Sequence, residues 1–271
     1  MRFAKKEKKP ETLEELIVRL RGKYGEKAIM LGKDVKPPRR WSTGIEELDR
    51  ITGGGWPEGR IIEIWGPEKA GKTTLVLKSI AAMQQKNPGA YAAYFDLENT
   101  FMPDWAKKCG VDLNRFIHIK AMAAEDMGNL AVRFIRRKWS MVAIDSVVEI
   151  LPSKVLERGL DEEVYAPQAR MLSVMLPKIV VLQSRSPTVV LLVNQVRDKI
   201  GFHMGDDLKQ PGGHALAHLV SFLIKVQRKK QIKVDDRVLG FEMALRILKT
   251  KLSIEGEECR CIFKFGKGIV G

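Results

Sequence analysis

The segment IIEIWGPEKAGKTT, residues 61–74, decides the fold because it joins three local patterns in a fixed order. Its first five residues are a short apolar run, which is typical of a buried strand. A loop with two glycines follows, and a helical segment begins near Lys72. The segment therefore predicts a strand that leads through a tight loop directly into a helix.

Strands and helices alternate along the chain that follows this segment. Further strands are predicted at residues 92–97, 116–120, 141–146 and 188–196, with helical segments after residues 103, 125 and 166. Short apolar strands separated by helices are typical of a mostly parallel sheet that is buried on both faces. Three longer strand-like stretches come after residue 218, and we expect them to extend the sheet with antiparallel strands. The predicted fold class is α/β.

The glycine loop fits the pattern G-x-x-x-x-G-K-[ST] in the context of a strand before it and a helix after it. The two glycines allow successive backbone N–H groups to point inward at a phosphate, and the start of the helix adds its positive end. Lys72 would neutralise the β- and γ-phosphates of a nucleotide, and Thr73 would offer its hydroxyl to Mg²⁺. The residues expected to hold the nucleotide are Gly66, Pro67, Glu68, Lys69, Ala70, Gly71, Lys72, Thr73 and Thr74.

Polar side chains end or follow three other predicted strands. Asp145 ends the strand MVAIDS and is expected to complete the magnesium site with Thr73. Glu98 lies just beyond its strand, at the edge where ligands bind in open parallel sheets, and could orient or deprotonate water. Asp96 competes for that role but lies within the strand, and we interpret it as structural. Gln195 occupies the same edge and could touch a γ-phosphate, although each of these residues taken alone also fits an ordinary loop.

The composition favours an anionic partner. The chain has 47 basic and 33 acidic residues, a net charge of +14, which suits nucleic acid but also suits a soluble surface rich in Lys and Glu. No run of 18 apolar residues predicts a transmembrane helix, and the N-terminus lacks the apolar stretch of a signal peptide. The three cysteines have no metal-ligand spacing, so we expect them to be reduced, in a cytoplasmic protein.

The N-terminal region predicts a separate helix. The sequence TLEE, residues 12–15, has the spacing of a capping box, and Gly22 is expected to end the helix. Its apolar stripe consists of Leu13, Leu16, Ile17 and Leu20. Such a stripe must pack on the chain's own core or on a neighbouring subunit. With the break at Pro37-Pro38, the predicted organisation is a helix and linker over 1–36 and a core over 37–271.

In combination, motifs along nearly the whole chain, from about Leu13 to Gly268, resemble the RecA-type bacterial and phage recombinases. These motifs are KYGEKAIMLG, STGIEELD, GRIIEIWGPEKAGKTTL, FDLEN, VAIDSV, ARMLS, NQVRDKIG, PGGHAL, LKTK and FGKGI. The likeness to DnaB-type helicases and to RadA/Sms-like or KaiC-like ATPases is much looser. The resemblance implies a RecA-type ATPase core with an N-terminal polymerisation helix.

The resemblance also implies roles for single residues. Glu98 matches the general base of the family, Asp145 its Mg²⁺-side carboxylate and Gln195 its γ-phosphate sensor. Lys249 and Lys251 match lysines that reach across a subunit interface to the neighbour's nucleotide.

Two aromatic residues, Trp105 and Phe265, match family residues that contact the adenine. Their alternative interpretation is as ordinary core aromatics.

Two DNA-binding loops of the family map to residues 157–165 and 197–213. The residues expected to contact DNA are Tyr165, Arg170, Arg197, Lys199, Ile200, Gly212 and Gly213. Apolar side chains can wedge between bases, and cations and glycine amides can meet phosphates. Without the resemblance, glycine-rich polar loops would be interpreted as solvated connectors. Gln195 leads directly into the second loop, so we expect the nucleotide to influence DNA affinity through it.

The sequence departs from the family pattern in three places. It stops after FGKGIVG, where bacterial relatives usually continue into a C-terminal domain. Pro177 falls inside a predicted helix over about 166–183 and should kink or divide it. Ala217 and His218 replace a basic and an aromatic residue near the subunit boundary, and His218 is expected in an interface or the core.

The function implied is a DNA-dependent ATPase that uses ATP and Mg²⁺ and forms filaments on single-stranded DNA. The filament would pair that strand with homologous double-stranded DNA in recombination and repair, without a membrane. Two alternatives stay open: a hexameric helicase-like translocase with the same fold, and an ATP-binding regulator or recombination mediator that barely hydrolyses ATP.

Overall fold

The computed structural model describes residues 11–157, 167–195, 216 and 218–270. They fall into two compact units that divide between Pro38 and Arg39, and each is described by itself. Within these described ranges, no helix is long and apolar enough to cross a membrane.

The first unit contains helix α1 (Leu13–Tyr24), which begins at a complete capping box. The backbone N–H of Glu15 donates to Thr12 Oγ1 at 3.2 Å, and Thr12 N–H donates to the Glu15 carboxylate at 2.9 Å. The predicted cap is therefore confirmed. The predicted end at Gly22 is wrong: the helix continues to Tyr24, because Gly25 is the residue with positive φ (95°) and closes it by donating to Arg21 O. No residue of α1 is buried.

The second unit contains the remaining elements. Its strands are β1 (Arg40–Trp41), β2 (Trp56–Pro57), β3 (Ile61–Gly66), β4 (Ala92–Asp96), β5 (Phe116–Lys120), β6 (Met141–Asp145), β7 (Val189–Gln195), β8 (Phe222–Val234), β9 (Arg237–Thr250), β10 (Glu258–Lys264) and β11 (Gly268–Val270). Its helices are α2 (Glu46–Thr52), α3 (Lys72–Lys86), α4 (Pro103–Lys108), α5 (Ala124–Arg136), α6 (Ser153–Leu156) and α7 (Pro167–Gln183). Short 3-10 turns lie at Glu26–Ala28 and Gly32–Asp34 in the first unit, and at Leu113–Arg115 and Val147–Glu149 in the second.

Among the described residues, nine strands form one sheet in the order β11-β10-β9-β8-β3-β7-β6-β4-β5, and β1 pairs with β2 alone. The six strands from β8 to β5 are parallel neighbours, and β9, β10 and β11 add to them in antiparallel fashion. The predicted α/β fold with a mostly parallel sheet is confirmed. One detail differs, since β8 joins β3 in parallel and the antiparallel extension begins only at β9.

The sheet is buried on both faces because side chains on each strand alternate between two cores. Every residue of β3, β4 and β6 is buried. On β4, Tyr94 belongs to the core shared with α3, whereas Phe95 belongs to the core shared with α5 and α7. This double cover holds the strand ends in fixed positions.

Helix α7 runs from Pro167 to Gln183 with Pro177 inside it. Pro177 therefore does not divide the helix, which leaves a kink as the form that the expected disturbance could take. Proline removes one backbone hydrogen bond, that to the carbonyl of Ser173, but packing offsets the loss. Met175, Leu176 and Ile179 on the same helix are buried in the core.

Candidate functional site

The loop between β3 and α3 is packed too tightly for side chains at its two glycines. A Cβ at Gly66 would come 2.2 Å from the carbonyl oxygen of Val226, and Gly71 has a left-handed φ of 97°. Within the described part of the chain, the backbone N–H groups of residues 71–73 donate to no carbonyl oxygen outside α3. A loop with free donors ahead of a helix N-terminus fits a phosphate group.

Lys72 is the cation of this loop, and it is almost completely buried, at 6% exposure. Its Nζ donates to the carbonyl oxygen of Pro67 at 2.7 Å. Burial lowers the pKa of Lys72, and three carboxylates oppose that shift. They belong to Asp145, Glu98 and Glu68. A buried ammonium that depends on a neutral carbonyl would gain from an anionic ligand.

Asp145 ends β6 beside the first turn of α3 and is 2% exposed. Its Oδ2 accepts hydrogen bonds from Thr73 Oγ1 at 2.7 Å and from the Tyr94 hydroxyl at 2.8 Å. Burial raises the pKa of Asp145 to about 6, although both hydroxyls oppose that shift. The structure thus brings together the two residues predicted to bind Mg²⁺, and it adds Tyr94.

The oxygens of Thr73 and Asp145 fit Mg²⁺, which prefers hard oxygen ligands. Among the residues that the structure describes, no group of three or more His, Cys, Asp or Glu side chains could hold a metal ion. A magnesium ion here would therefore take most of its ligands from phosphate oxygens and water, as is usual for Mg²⁺ at phosphate sites.

Glu98 and Gln195 lie at the ends of different strands and touch directly. Gln195 Nε2 donates to Glu98 Oε1 at 2.5 Å. The parallel register explains the meeting, because Gly66 pairs with Gln195 and Asp96 pairs with Asp145 across the same edge of the sheet. The candidate base and the candidate phosphate sensor thus form one contact.

One cavity of about 740 Å³ includes most of the predicted residues. Those lining it are Glu68, Lys69, Gly71, Lys72, Thr73, Thr74, Glu98, Trp105, Asp145, Gln195 and Phe265. Its volume lies in the range of small-molecule sites. Gly66, Pro67 and Ala70 belong to the loop but do not line the cavity. We call the part formed by residues 66–74 with Glu98, Asp145 and Gln195 the loop end.

The opposite part, which we call the aromatic end, consists of Trp105, Phe241, Phe263 and Phe265 with Arg228. Trp105 Nε1 donates to Thr74 Oγ1 at 3.2 Å, and its ring centroid lies 6.4 Å from that of Phe263. Phe263 stacks on Phe241 at 4.8 Å, and the Arg228 guanidinium lies 4.6 Å from the Phe241 ring. These rings offer flat apolar surface of the kind that binds a nucleobase.

Among the described residues, four that line the cavity are not predicted from the sequence: Thr100, Arg228, Phe241 and Phe263. The predicted strand-like stretch near the end of the sequence runs through both Phe263 and Phe265, so alternation could have placed Phe263 on the same face, although β10 itself ends at Lys264. Phe241 and Arg228 depend on the register between β8, β9 and β10, for which the sequence gives no signal.

Two predicted lysines do not line this cavity of the described structure. Lys251 Nζ donates to the carbonyl oxygen of His218 at 2.9 Å, and burial and the charge of Lys249 lower the pKa of Lys251. The charge of Lys249 acts on the buried Glu63, whose pKa burial raises to about 7. His218 is exposed in this chain, so it is not a core residue.

The DNA-binding predictions are mostly outside the described residues. Arg170 is exposed on α7 and does not line the cavity. The predicted residues outside the described ranges are Tyr165, Arg197, Lys199, Ile200, Gly212 and Gly213, and Ala217 also lies there.

Comparison with known proteins gives consistent matches along the chain. The family model described as the RecA N-terminal domain matches residues 11–270. Protein RecA of Chlorobaculum parvum is 35% identical over 268 residues, which cover 96% of this chain and 77% of that protein. Protein RecA of Mesomycoplasma hyopneumoniae (strain 7448) is 32% identical over 263 residues, which cover 95% of this chain and 77% of that protein. Protein RecA of Staphylococcus aureus (strain JH9) is 32% identical over 263 residues, which cover 96% of this chain and 75% of that protein.

Proposed function

The chain belongs to the RecA family, and from that premise we propose that it is a homologous recombinase that hydrolyses ATP when bound to DNA. The observation that carries the proposal is the contact between Gln195 and Glu98 in the cavity beside Lys72. A carboxylate that can take a proton from water thus lies next to groups suited to phosphate. Such a site can cleave a terminal phosphate rather than only hold it.

The loop end would bind the triphosphate. The N–H groups of residues 69–73 and the ammonium of Lys72 would replace their present partners or water with phosphate oxygens. Thr73 and Asp145 would hold Mg²⁺, which when bound would neutralise charge on the β- and γ-phosphates. The carboxylate of Asp145 must be ionised for this role, and its raised pKa of about 6 leaves it ionised at neutral pH.

Glu98 would act as the general base that activates water. Its carboxylate accepts a hydrogen bond from the Gln195 amide in the structure. A γ-phosphate in the cavity would offer that amide another acceptor, and Glu98 would then be released to bind water. Gln195 would thus make hydrolysis depend on a complete triphosphate.

Gln195 would also carry the nucleotide state toward DNA. It is the last residue of β7, and the segment 197–213 assigned to DNA begins two residues later. A change in the partner of its amide would shift the start of that segment. ATP binding would therefore alter the affinity of the protein for DNA.

Assembly would place each nucleotide between two copies of the chain. Lys249 and Lys251 would reach the neighbour's phosphates, which agrees with their position away from the described cavity of their own chain. The N-terminal region over 1–36 would join neighbours through the apolar stripe of α1, of which no residue is buried.

The partners proposed are single-stranded DNA and a homologous duplex. The net charge of +14 supports binding to phosphate backbones, which should weaken steeply as salt is raised. The DNA sequence would be recognised by base pairing between the strands, while the protein holds the backbone. These substrates imply a cytoplasmic site of action.

Phosphate release with and without single-stranded DNA tests the proposal. We expect release to rise with DNA, and electron microscopy with a non-hydrolysable ATP analogue to show open helical filaments. Closed rings would support a translocase instead. ATP binding without DNA-stimulated release would support a regulator or mediator.

A further inference from the structure

The turn that carries Glu98 is closed by a buried carboxylate that does not line the cavity. Asp96, the last residue of β4, is 1% exposed. Its Oδ1 accepts from the N–H of Thr100 and its Oδ2 from the N–H of Phe101, both at 3.0 Å. These two bonds bridge the start and the end of the turn, and Glu98 lies between them. The place of Glu98 is therefore set by how Asp96 is held.

The backbone of the turn has little freedom of its own. The N–H of Leu97 donates to the carbonyl oxygen of Asp145 at 2.7 Å, which ties the turn to β6. Asn99 has a left-handed φ of 54°, a conformation that asparagine tolerates better than most residues other than glycine. The turn is therefore held at its first residue by a backbone bond and at its end by the Asp96 carboxylate.

His118 holds both ends of this turn from the neighbouring strand. Its Nε2 lies 3.0 Å from Asp96 Oδ2. Its ring stacks on Phe101 with centroids 4.5 Å apart and an interplanar angle of 21°. It is positioned by the parallel register of β4 and β5, in which Tyr94 pairs with His118. One imidazole thus fixes the carboxylate at the start of the turn and the aromatic ring at its end.

The histidine does not line the nucleotide cavity. A buried carboxylate needs all of its acceptor sites satisfied, and the two backbone N–H groups leave room for a third donor. His118 supplies it, so removal of the ring would leave one acceptor site of Asp96 unsatisfied and Phe101 without its stacking partner, which would loosen the turn.

We propose that His118 is a positioning residue for hydrolysis, which sets the place of Glu98 through Asp96 and Phe101 without touching the nucleotide. This inference rests on the proposed function, because it assigns His118 to the step that Glu98 would carry out. It predicts that His118 affects the rate of hydrolysis and not the binding of nucleotide.

A matched pair of variants in the full chain tests this role. His118→Gln keeps an amide nitrogen close to the position of Nε2, whereas His118→Met has similar length and bulk without a donor. Ile117→Ala is the control, since Ile117 is a neighbour on β5 with 43% exposure and no part in the stack. All are assayed for DNA-stimulated phosphate release, below the lowest unfolding temperature of the set.

We expect kcat of His118→Met to fall about ten- to a hundredfold, since small misplacement of a catalytic group has effects of this order. Its KM for ATP and its Kd for a fluorescent ATP analogue should stay within about twofold. His118→Gln should recover most of the rate, and Ile117→Ala should match the wild type.

Equal kcat values for the Met and Gln variants would overturn the inference, and so would a rise in KM at unchanged kcat. These outcomes are distinct from failure of the proposed function. If the wild type itself released no phosphate with DNA, the proposed function would fail. If the wild type were active and the His118→Met variant equally active, only the role assigned to His118 would be refuted.

Discussion

At the loop end of the cavity, one continuous stretch, residues 66–74, is joined by Glu98, Asp145 and Gln195, whereas the residues of the aromatic end come from separate elements far apart in sequence. Lys72 and Thr73 are neighbours in the glycine loop, but Arg228, Phe241 and Phe263 meet only because β8, β9 and β10 pair in one register. The loop end is rich in buried charge, and the aromatic end is mostly apolar.

This difference between the two ends shows which part of the site depends on backbone conformation. The left-handed φ of Gly71 and the close approach of Gly66 to the carbonyl oxygen of Val226 require glycine at both positions of the loop. The aromatic end depends instead on side chains that strand pairing brings together, so a substitution there can change the ring surface without changing the backbone. We therefore expect variants at the loop end to abolish chemistry and variants at the aromatic end to alter affinity for the base.

The largest effect is expected from Lys72→Met at the loop end. Loss of a charged group aimed at the reacting phosphate should lower kcat about a thousandfold, as for other preorganised transition-state contacts. Lys86→Met, at the exposed end of the same helix, is the matched control and should leave phosphate release unchanged. Comparable rates in both variants would contradict the assignment of the loop end to catalysis.

The second effect concerns pH and the buried charge of the loop end. The pKa of Asp145 is raised to about 6, so between about pH 4 and 6 the folded protein holds a proton that the unfolded chain releases. This contribution to stability is therefore greatest at low pH and is lost as pH rises through 6. Over the whole range it amounts to about 3 kcal/mol.

Asp145→Asn measures this contribution, because the amide keeps the shape and cannot ionise. Denaturant unfolding without nucleotide or Mg²⁺ should show the variant gaining stability relative to the wild type between pH 4 and 7. A difference that stays constant with pH would mean that Asp145 is already ionised across this range.

The same contrast sets what could be predicted from the sequence. The motif at Gly66, Gly71 and Lys72 has a local cause, so it was found without any tertiary information. Asp145 and Gln195 could be placed because the carboxyl ends of parallel strands share one edge. Phe241 could not, since strand alternation gives the face of a residue but not its partner on the next strand.

Errors at element boundaries have equally local reasons. Gly22 and Gly25 both fit a helix end, and only the backbone conformation selects Gly25. The contacts of His118 with Asp96 and Phe101 could not be predicted, because they depend on the pairing between β4 and β5, which no short motif encodes.

The third effect concerns the contact between Gln195 and Glu98, through which we propose that the loop end influences DNA binding. Gln195→Ala removes the amide that contacts Glu98, and we expect kcat to fall about a hundredfold and ATP-dependent DNA binding to be lost. DNA binding is compared with ATP analogue and with ADP, in the variant and in Gln85→Ala, an exposed glutamine on α3. Full DNA binding and DNA-stimulated hydrolysis by Gln195→Ala would refute the proposed coupling.

The smallest effect should come from the aromatic end. Phe265 is 48% exposed, so Phe265→Ala costs little stability but removes ring surface from the base. One stacking contact contributes about 1 kcal/mol, which predicts a rise of about fivefold in the Kd for ATP. Tripolyphosphate has no base, so its inhibition constant should not change in this variant, while Lys72→Met should weaken both ligands. If Phe265→Ala weakened tripolyphosphate as much as ATP, the two ends of the cavity would not be separate, because a ring assigned to the base would then also be supporting the phosphates.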